Sequence, residues 1–154
     1  ELWLAATAQG ICRLSFGPSE PEWVIALRDE GCLAPTPDDI FLCRAREQLA
    51  EYFAGKRRSF DLALDLSCGT DFQRRVWDAT RLIPYGQVHN YGEIARAIGS
   101  ERAARAVGGA LGKNPVPIIV PCHRVARANG ALGGFSEGVE IKEALLALEG
   151  CTSV

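Results

Sequence analysis

Two short apolar runs open the chain, Leu2 to Thr7 and Ile11 to Phe16, and Ala8-Gln9-Gly10 between them predicts a turn joining two strands. Pro21 to Glu30 carries a helical pattern that stops at Gly31. Asp39 is placed to cap a helix running to about Ala54, with Leu42, Leu49 and Phe53 among its apolar positions and Gly55 at its end. Phe60, Leu62, Leu64 and Leu66 then alternate with Asp61, Ala63 and Asp65, the pattern of a half-buried strand. Past a boundary near Ser67 to Thr70 the pattern turns helical. Asp71 can cap a helix through Phe72, Val76 and Trp77 to about Leu82, which Pro84-Tyr85-Gly86 breaks. Asn90-Tyr91-Gly92-Glu93 places a cap residue three positions before a glutamate, opening a helix that carries Ile94 and Ile98 and ends at Gly99. Ser100 is then expected to cap a second helix from Glu101 to about Leu111.

These elements predict an α+β chain: a small N-terminal α/β subdomain with an antiparallel sheet over residues 1–69, then a mostly helical domain over 70–154. Two short helices joined by Gly99-Ser100 have the spacing of a helix-turn-helix, and equally that of an ordinary helical corner. The second helix separates its faces. At about 100° per residue, Ala103, Val107, Ala110 and Leu111 cluster on one side, and Arg102, Arg105, Gly108, Gly109 and Gly112 on the other. Glycine weakens a helix by about 1 kcal/mol relative to alanine, so glycines on an outer face need a reason. Close packing against another helix is one. The adjacent arginines favour the other, close approach of a nucleic-acid backbone.

The length of 154 residues suits one domain, or two small subdomains sharing a core. With 47% apolar and 23% charged residues the chain is expected to fold rather than stay disordered. No apolar run approaches the ~20 residues of a membrane span and no basic-then-apolar leader opens the chain, so membrane and secretion readings are set aside. Net charge is −2, unevenly spread: residues 1–69 hold 7 Lys or Arg against 11 Asp or Glu, and residues 70–154 hold 10 against 8. Between Arg96 and Arg127, six basic residues (Arg96, Arg102, Arg105, Lys113, Arg124 and Arg127) meet only Glu101. That local excess suits a phosphate-bearing partner or a solvated face. The six cysteines, Cys12, Cys32, Cys43, Cys68, Cys122 and Cys151, form no C-x-x-C pair, and His89 and His123 lie at no zinc-ligand spacing from them. Reduced thiols in a reducing compartment are expected. The absence of methionine, an initiator included, suggests a trimmed chain or a fragment of something longer.

The chemistry concentrates in Asn114-Pro115-Val116-Pro117-Ile118-Ile119-Val120-Pro121-Cys122-His123-Arg124-Val125. Three prolines stiffen this segment, and a buried Ile118 to Val120 would hold Cys122 at the end of a rigid support. A cysteine beside a histidine, with arginines near, is where a lowered thiol pKa is expected.

At these residues the chain resembles the O6-alkylguanine-DNA alkyltransferases, also called methylated-DNA–protein-cysteine methyltransferases. The resemblance is carried by Pro-Cys-His-Arg-Val at 121–125, Arg-Ala-Val-Gly-Gly-Ala at 105–110, and Asn114-Pro115. Ile83-Pro84-Tyr85-Gly86-Gln87-Val88 with Tyr91, and the run from Lys142 to Gly150, add to it, so that it spans roughly Phe72 to Gly150 in order. It implies direct-reversal DNA repair: an alkyl group passes from O6 of guanine, and less generally O4 of thymine, to the protein's own cysteine. Cys122 matches the acceptor, and the thioether is not reversed, so each molecule acts once. No metal or organic cofactor takes part. The implied setting is the cytoplasm, or the nucleus of a eukaryote, and the protein is expected as a monomer on double-stranded DNA, with no membrane partner.

The resemblance also assigns residues. His123 accepts the thiol proton, through a bound water, and Glu149 orients it. Glu149 sits at the edge of the apolar stripe of the last helix, where a solvated carboxylate would oppose the helix dipole. Tyr91 matches a tyrosine directed at the base and the adjacent phosphate, and Asn114 an asparagine that stabilises the turn between recognition helix and cysteine segment. Arg105 matches the finger that fills the space left when the modified base turns out of the duplex. Ala104, Gly108 and Gly109 share its DNA-facing helix, which this family lays in the minor groove. Pro117, Val125, Phe135 and Ser136 are the implied pocket lining, with the backbone of Cys122 and Val125 reading the purine edge. Phe135 departs from the tyrosine that many members carry, keeping an apolar wall without its hydroxyl. A non-catalytic DNA-binding relative would lack the acceptor cysteine, which is present here. A cysteine hydrolase would leave the helix-turn-helix unexplained.

Overall fold

A computed structural model of the chain describes residues 1–24 and 40–151. The chain divides into two compact units, Glu1–Leu66 and Ser67–Val154. In the first, strands β1 (Leu2–Thr7) and β2 (Gly10–Phe16) pair antiparallel, from Leu2 opposite Phe16 to Thr7 opposite Gly10. Gly10 is required where it stands: φ is +144°, and a Cβ there would lie 2.3 Å from the Ala63 carbonyl oxygen. That approach lets Ile11 donate to Ala63 and accept from Asp65, both at 2.9 Å.

The strand expected over Phe60 to Leu66 is reduced to this one parallel bridge, between Ile11 and Leu64. Its ladder goes no further, because Asp61 pairs instead with a side chain. Gln48 Nε2 donates to the Asp61 carbonyl at 3.0 Å, and the Asp61 amide donates to Gln48 Oε1 at 2.9 Å. Helix α1 (Ile40–Phe53) supplies that glutamine and buries Leu42, Ala45, Leu49 and Tyr52. Phe53, expected among its apolar positions, is exposed; Tyr52 occupies the core instead. The Asp39 cap lies outside the described residues, as does the helix expected over Pro21 to Glu30 apart from its helical start at residues 22–24.

The second unit is mostly helical. Helix α2 (Asp71–Arg81) is capped by Thr70, one residue before the expected Asp71, because Gln73 completes the reciprocal capping box with Thr70. Trp77 is buried and donates from Nε1 to the Ala110 carbonyl at 2.9 Å, pinning α2 to the later helix α4 (Ala104–Leu111). Helix α3 (Tyr91–Ala97) carries the capping box that Asn90 and Glu93 predict. Gly99, at φ +68°, turns the chain out of α3. Helix α4 starts three residues later than expected. Ser100 uses its carbonyl to accept from the Ala103 amide at 2.8 Å, so residues 101–102 form a turn first, and no side chain caps α4. Val107, Ala110 and Leu111 face inward and Arg102, Arg105 and Gly109 outward, as the periodicity predicts. Helices α3 and α4 pack together as a helix-turn-helix.

A short parallel pair positions the chemistry. Strand β3 (His89–Asn90) lies beside β4 (Val125–Ala126), with His89 opposite Val125 and Asn90 opposite Ala126. The cap of α3 is thereby joined to the residues that directly follow Cys122–Arg124, a single 3₁₀ turn. Helix α5 (Val139–Leu148) closes the unit.

Candidate active site

Asn114 organises the segment that carries the cysteine. Its Oδ1 accepts from the Val116 amide at 3.0 Å, and its Nδ2 donates to the Val120 carbonyl at 2.9 Å and to Cys122 Sγ at 3.0 Å. It therefore spans the turn and touches the sulfur as well. Ile118, within this loop, has φ +73°. A β-branched residue held in the left-handed region stores about 1–3 kcal/mol, retained here by burial of Val116, Ile118 and Val120. Asn114→Ala is expected to destabilise the protein by about 2–3 kcal/mol, because the Val116 amide and Val120 carbonyl lose their partner. Thermal denaturation reads that loss.

His123, Arg124 and Glu149 form a buried cluster behind Cys122. His123 Nε2 lies 2.9 Å from Glu149 Oε1, and Arg124 grips the same carboxylate twice, Nε to Oε2 and Nη2 to Oε1, both at 2.8 Å. The Gly86 amide donates to Oε2 at 3.2 Å, Arg124 Nη1 donates to the Ile83 carbonyl at 2.7 Å, and the Tyr85 hydroxyl donates to the Leu148 carbonyl at 2.9 Å. With donors on every side the carboxylate can only accept, so Nε2 must carry the hydrogen. Nδ1 is then the free lone pair of a neutral ring, and it is buried without a hydrogen-bond partner. Burial lowers the His123 pKa below its usual 6.5, outweighing the opposing pull of Glu149, with Arg124 and Lys142 lowering it further. The ring is neutral and able to take a proton at pH 7.

Two expectations change here. Arg124 belongs to this cluster rather than to the basic surface, leaving Arg96, Arg102, Arg105, Lys113 and Arg127 exposed. The Cys122 thiol, expected low, is pushed up to about 11. Burial dominates, with Asn114 and Lys142 pulling the other way. Nearby positive charge does not compensate for removing a sulfur anion from water.

Cys122, only 6% exposed, lies on a cavity of about 350 Å³. Tyr91, Gly108, Leu111, Gly112, Gly134, Phe135 and Ser136 form the rest of its lining. Phe135 and Ser136, of the four residues expected as pocket lining, are among these; Pro117 and Val125 are buried and are not. Tyr91 is half-buried, and burial raises its pKa above the usual 10, keeping the hydroxyl a donor. Arg105 and Gly109 are exposed on α4, with Ala104 and Gly108 partly so.

Sequence reasoning missed Arg124 as the second holder of Glu149, Gly86 as its backbone donor, and Lys142. The signal for Arg124 was available, since Glu149 follows an apolar stripe and a buried carboxylate needs a cation.

The second helix of the helix-turn-helix thus walls a cavity floored by a buried cysteine. Residues 71–151 match the family described as 6-O-methylguanine DNA methyltransferase, DNA binding domain, and residues 1–66 its ribonuclease-like domain. The methylated-DNA–protein-cysteine methyltransferase of Mycobacterium bovis is 56% identical over 135 residues, 88% of this chain and 74% of the relative. That of Methanosarcina acetivorans is 54% identical over 113 residues, 73% and 72%. The crystal structure of Mycobacterium tuberculosis OGT in complex with DNA superposes with a TM-score of 0.79 at 44% identity, covering 96% of this chain and 85% of that one. The chain belongs to the 6-O-methylguanine DNA methyltransferase family, enzymes of DNA repair by alkyl transfer.

Proposed function

We propose that the protein turns O6-alkylguanine out of double-stranded DNA and takes the alkyl group onto Cys122, once per molecule. The observation that carries this reading is the shared wall: Gly108 and Leu111 of α4, and Gly112 at its end, line the same cavity as Cys122. A nucleotide turned out of a duplex laid along α4 would enter this cavity beside the sulfur. The glycines let the DNA backbone approach in the minor groove, and Arg105 enters the stack where the base was. Ala104, Gly108 and Gly109 form the rest of this contact, and phosphate contacts make binding salt-dependent and largely independent of sequence. O4-alkylthymine presents the same reacting group to the same cavity.

The thiol gives its proton, relayed by a water molecule, to Nδ1 of His123, whose ring Glu149 and Arg124 hold in one tautomer. Sulfur attacks the alkyl carbon; the C–O bond breaks as the C–S bond forms, and its electron pair leaves with guanine. Tyr91 donates to the departing base, and the proton lost by sulfur balances the one guanine gains. Asn114 donates to the sulfur as it becomes anionic. Phe135 supplies an apolar wall for the alkyl group, and its missing hydroxyl shifts preference among alkyl groups. Protein residues and the relaying water supply every group in this scheme, with no cofactor. The protein acts as a monomer in the compartment that holds DNA, cytoplasm or nucleus. No described helix is long and apolar enough to cross a membrane.

Arg105→Ala tests the reading. Repair of duplex O6-methylguanine is expected to fall at least about tenfold more than reaction with free O6-benzylguanine, since only the duplex requires the base to be extruded. Equal losses on both substrates would count against it. The His123 environment gives a second test. Its neutral form is the base and its pKa lies below 6.5, so the rate with free O6-benzylguanine is expected to hold from neutral pH down to about 6.5 and fall only below that. Stability follows the same window. The unfolded chain takes up the proton first, so the contribution of neutral His123 is complete above 6.5 and is lost as pH falls toward the folded value. A rate already falling at pH 7 would contradict this assignment.

A further inference from the structure

Of the exposed cations between Arg96 and Arg127, four lie on the helix-turn-helix or directly after it. Arg96 is on α3, Arg102 in the turn, Arg105 on α4 and Lys113 just beyond α4. Arg127 comes from a different segment, the one that follows the cysteine, and the scheme above gives it no task. The short parallel pair fixes where it stands. His89 faces Val125 and Asn90 faces Ala126, so the next residues of the two strands, Tyr91 and Arg127, leave the pair side by side. A closed turn holds the Arg127 backbone: its amide donates to the Ala131 carbonyl at 2.8 Å, and its carbonyl accepts from the Gly130 amide at 3.0 Å.

Tyr91 lines the cavity of Cys122, and Gly133, directly before the Gly134–Ser136 wall, closes on it; a Cβ there would lie 2.8 Å from the tyrosine hydroxyl. Burial raises the Tyr91 pKa and the Arg127 charge pulls against it, so the guanidinium stands within electrostatic reach of the hydroxyl. Arg127 itself is exposed and forms no ion pair among the described residues, whereas Arg124 is engaged with Glu149.

A base seated beside Cys122 stays joined to its sugar and, through it, to the two phosphates that flank it. Those phosphates stop at the rim of the cavity, where Tyr91 stands. In the stacked duplex they follow the helical path of the backbone, and turning the nucleotide out swings them away from it. A guanidinium takes a phosphate through two parallel N–H donors. Placed at the rim, it meets a phosphate in the extruded state that it does not meet in the stacked one. That difference in contacts shifts the balance between the two states toward extrusion.

We propose that Arg127 clamps the extruded nucleotide: it grips a phosphate flanking the lesion once the base has entered the cavity, and so holds the alkyl carbon at Cys122. The inference rests on the proposed function. It gives Arg127 a task separate from that of Arg105, which fills the space the base has left.

The test neutralises phosphates as well as the arginine. Two duplexes carry O6-methylguanine with an uncharged methylphosphonate at one or the other linkage flanking the lesion; a third carries it near one end of the duplex. With the unaltered protein, single-turnover repair is expected to slow about tenfold on one of the two flanking substitutions, and far less on the distant one. Arg127→Gln is expected to slow repair of the all-phosphate duplex about tenfold, and neutralising that same linkage is expected to slow the variant no further. Arg127→Lys, which keeps the charge without the fork, is expected to fall between the two. Binding of undamaged duplex by Arg127→Gln, read by gel shift, is expected to weaken much less than repair slows, as is reaction with free O6-benzylguanine.

Equal rates of the unaltered protein on all three duplexes overturn the proposal, whether or not either variant folds. An Arg127→Gln protein that repairs the all-phosphate duplex at the unaltered rate overturns it as well. So does one that slows as much as the unaltered protein when the flanking linkage is neutralised. Losses of equal size on undamaged duplex, or on free O6-benzylguanine, make Arg127 a general phosphate contact or a structural residue and overturn it too. If repair leaves Cys122 unmodified, the proposed function fails and this inference with it. If Cys122 is alkylated at a rate indifferent to the flanking charges, this inference alone fails.

Discussion

Cys122→Ala is expected to abolish alkyl transfer from duplex O6-methylguanine while the protein stays folded and still binds DNA. The substitution removes the sulfur and leaves the support around it in place. Asn114 keeps its bonds to the Val116 amide and the Val120 carbonyl, and loses only its donation to the sulfur. The stability change is therefore small, about 1 kcal/mol. The chemical change is total, because no other described cysteine lines the cavity. Cys68 is exposed but lies in the segment before α2, and Cys151 follows Glu149 at the end of α5. Labelled methyl transferred in duplex assays, compared with binding of the same duplex by gel shift, separates the two effects. Transfer that survived in the alanine variant would place the acceptor elsewhere.

Glu149→Gln is expected to produce the second largest effect, on both stability and rate. The carboxylate accepts from His123, twice from Arg124, and from the Gly86 amide. A carboxamide turns one of those acceptors into a donor and leaves the Arg124 guanidinium buried without a counter-charge. Removing one partner of a buried ion pair costs about 3–5 kcal/mol, a fall readable as a lower unfolding midpoint in urea. His123 also loses the acceptor that holds its hydrogen on Nε2, so Nδ1 is no longer fixed as the base. Loss of general-base assistance is expected to slow transfer by about 10²–10⁴-fold, measured under conditions where circular dichroism shows the variant folded. A stable variant with an unaltered rate would remove Glu149 from the mechanism.

How far the sequence discloses this arrangement depends on how local the determining chemistry is. The helix-turn-helix is readable because its signals sit within a few residues: Asn90 and Glu93 cap α3, and Gly99 releases it. Thr70 and Asp71 are both good cap residues, and only Gln73, three beyond Thr70, decides between them. Ser100 is misread because a cap-type side chain followed by helical periodicity does not disclose that its carbonyl, rather than its hydroxyl, makes the turn. Alternation from Phe60 to Leu66 describes a surface half in and half out, which a single bridge satisfies as well as a ladder.

The site divides in the same way. Cys122, His123 and Asn114 are close in sequence and announce themselves through a proline-stiffened segment. Arg124 next to them reads as surface charge until Glu149, 25 residues later, is folded against it. The thiol pKa is not legible in the sequence, because adjacent cations are visible there and burial is not. In the sequence Lys142 is only one residue of a matching run. Its Nζ donates to two carbonyls, those of Val125 and Leu132, whose position no residue pattern specifies.

The most direct test of where the lesion's carbon ends is peptide mapping by mass spectrometry after exposure to excess duplex O6-methylguanine. One methyl group per protein molecule is expected, on the peptide that contains Cys122 and on its sulfur, with guanine restored in the DNA in equal amount. Restored guanine beside an unmodified Cys122, or more than one guanine restored per protein molecule, would contradict it.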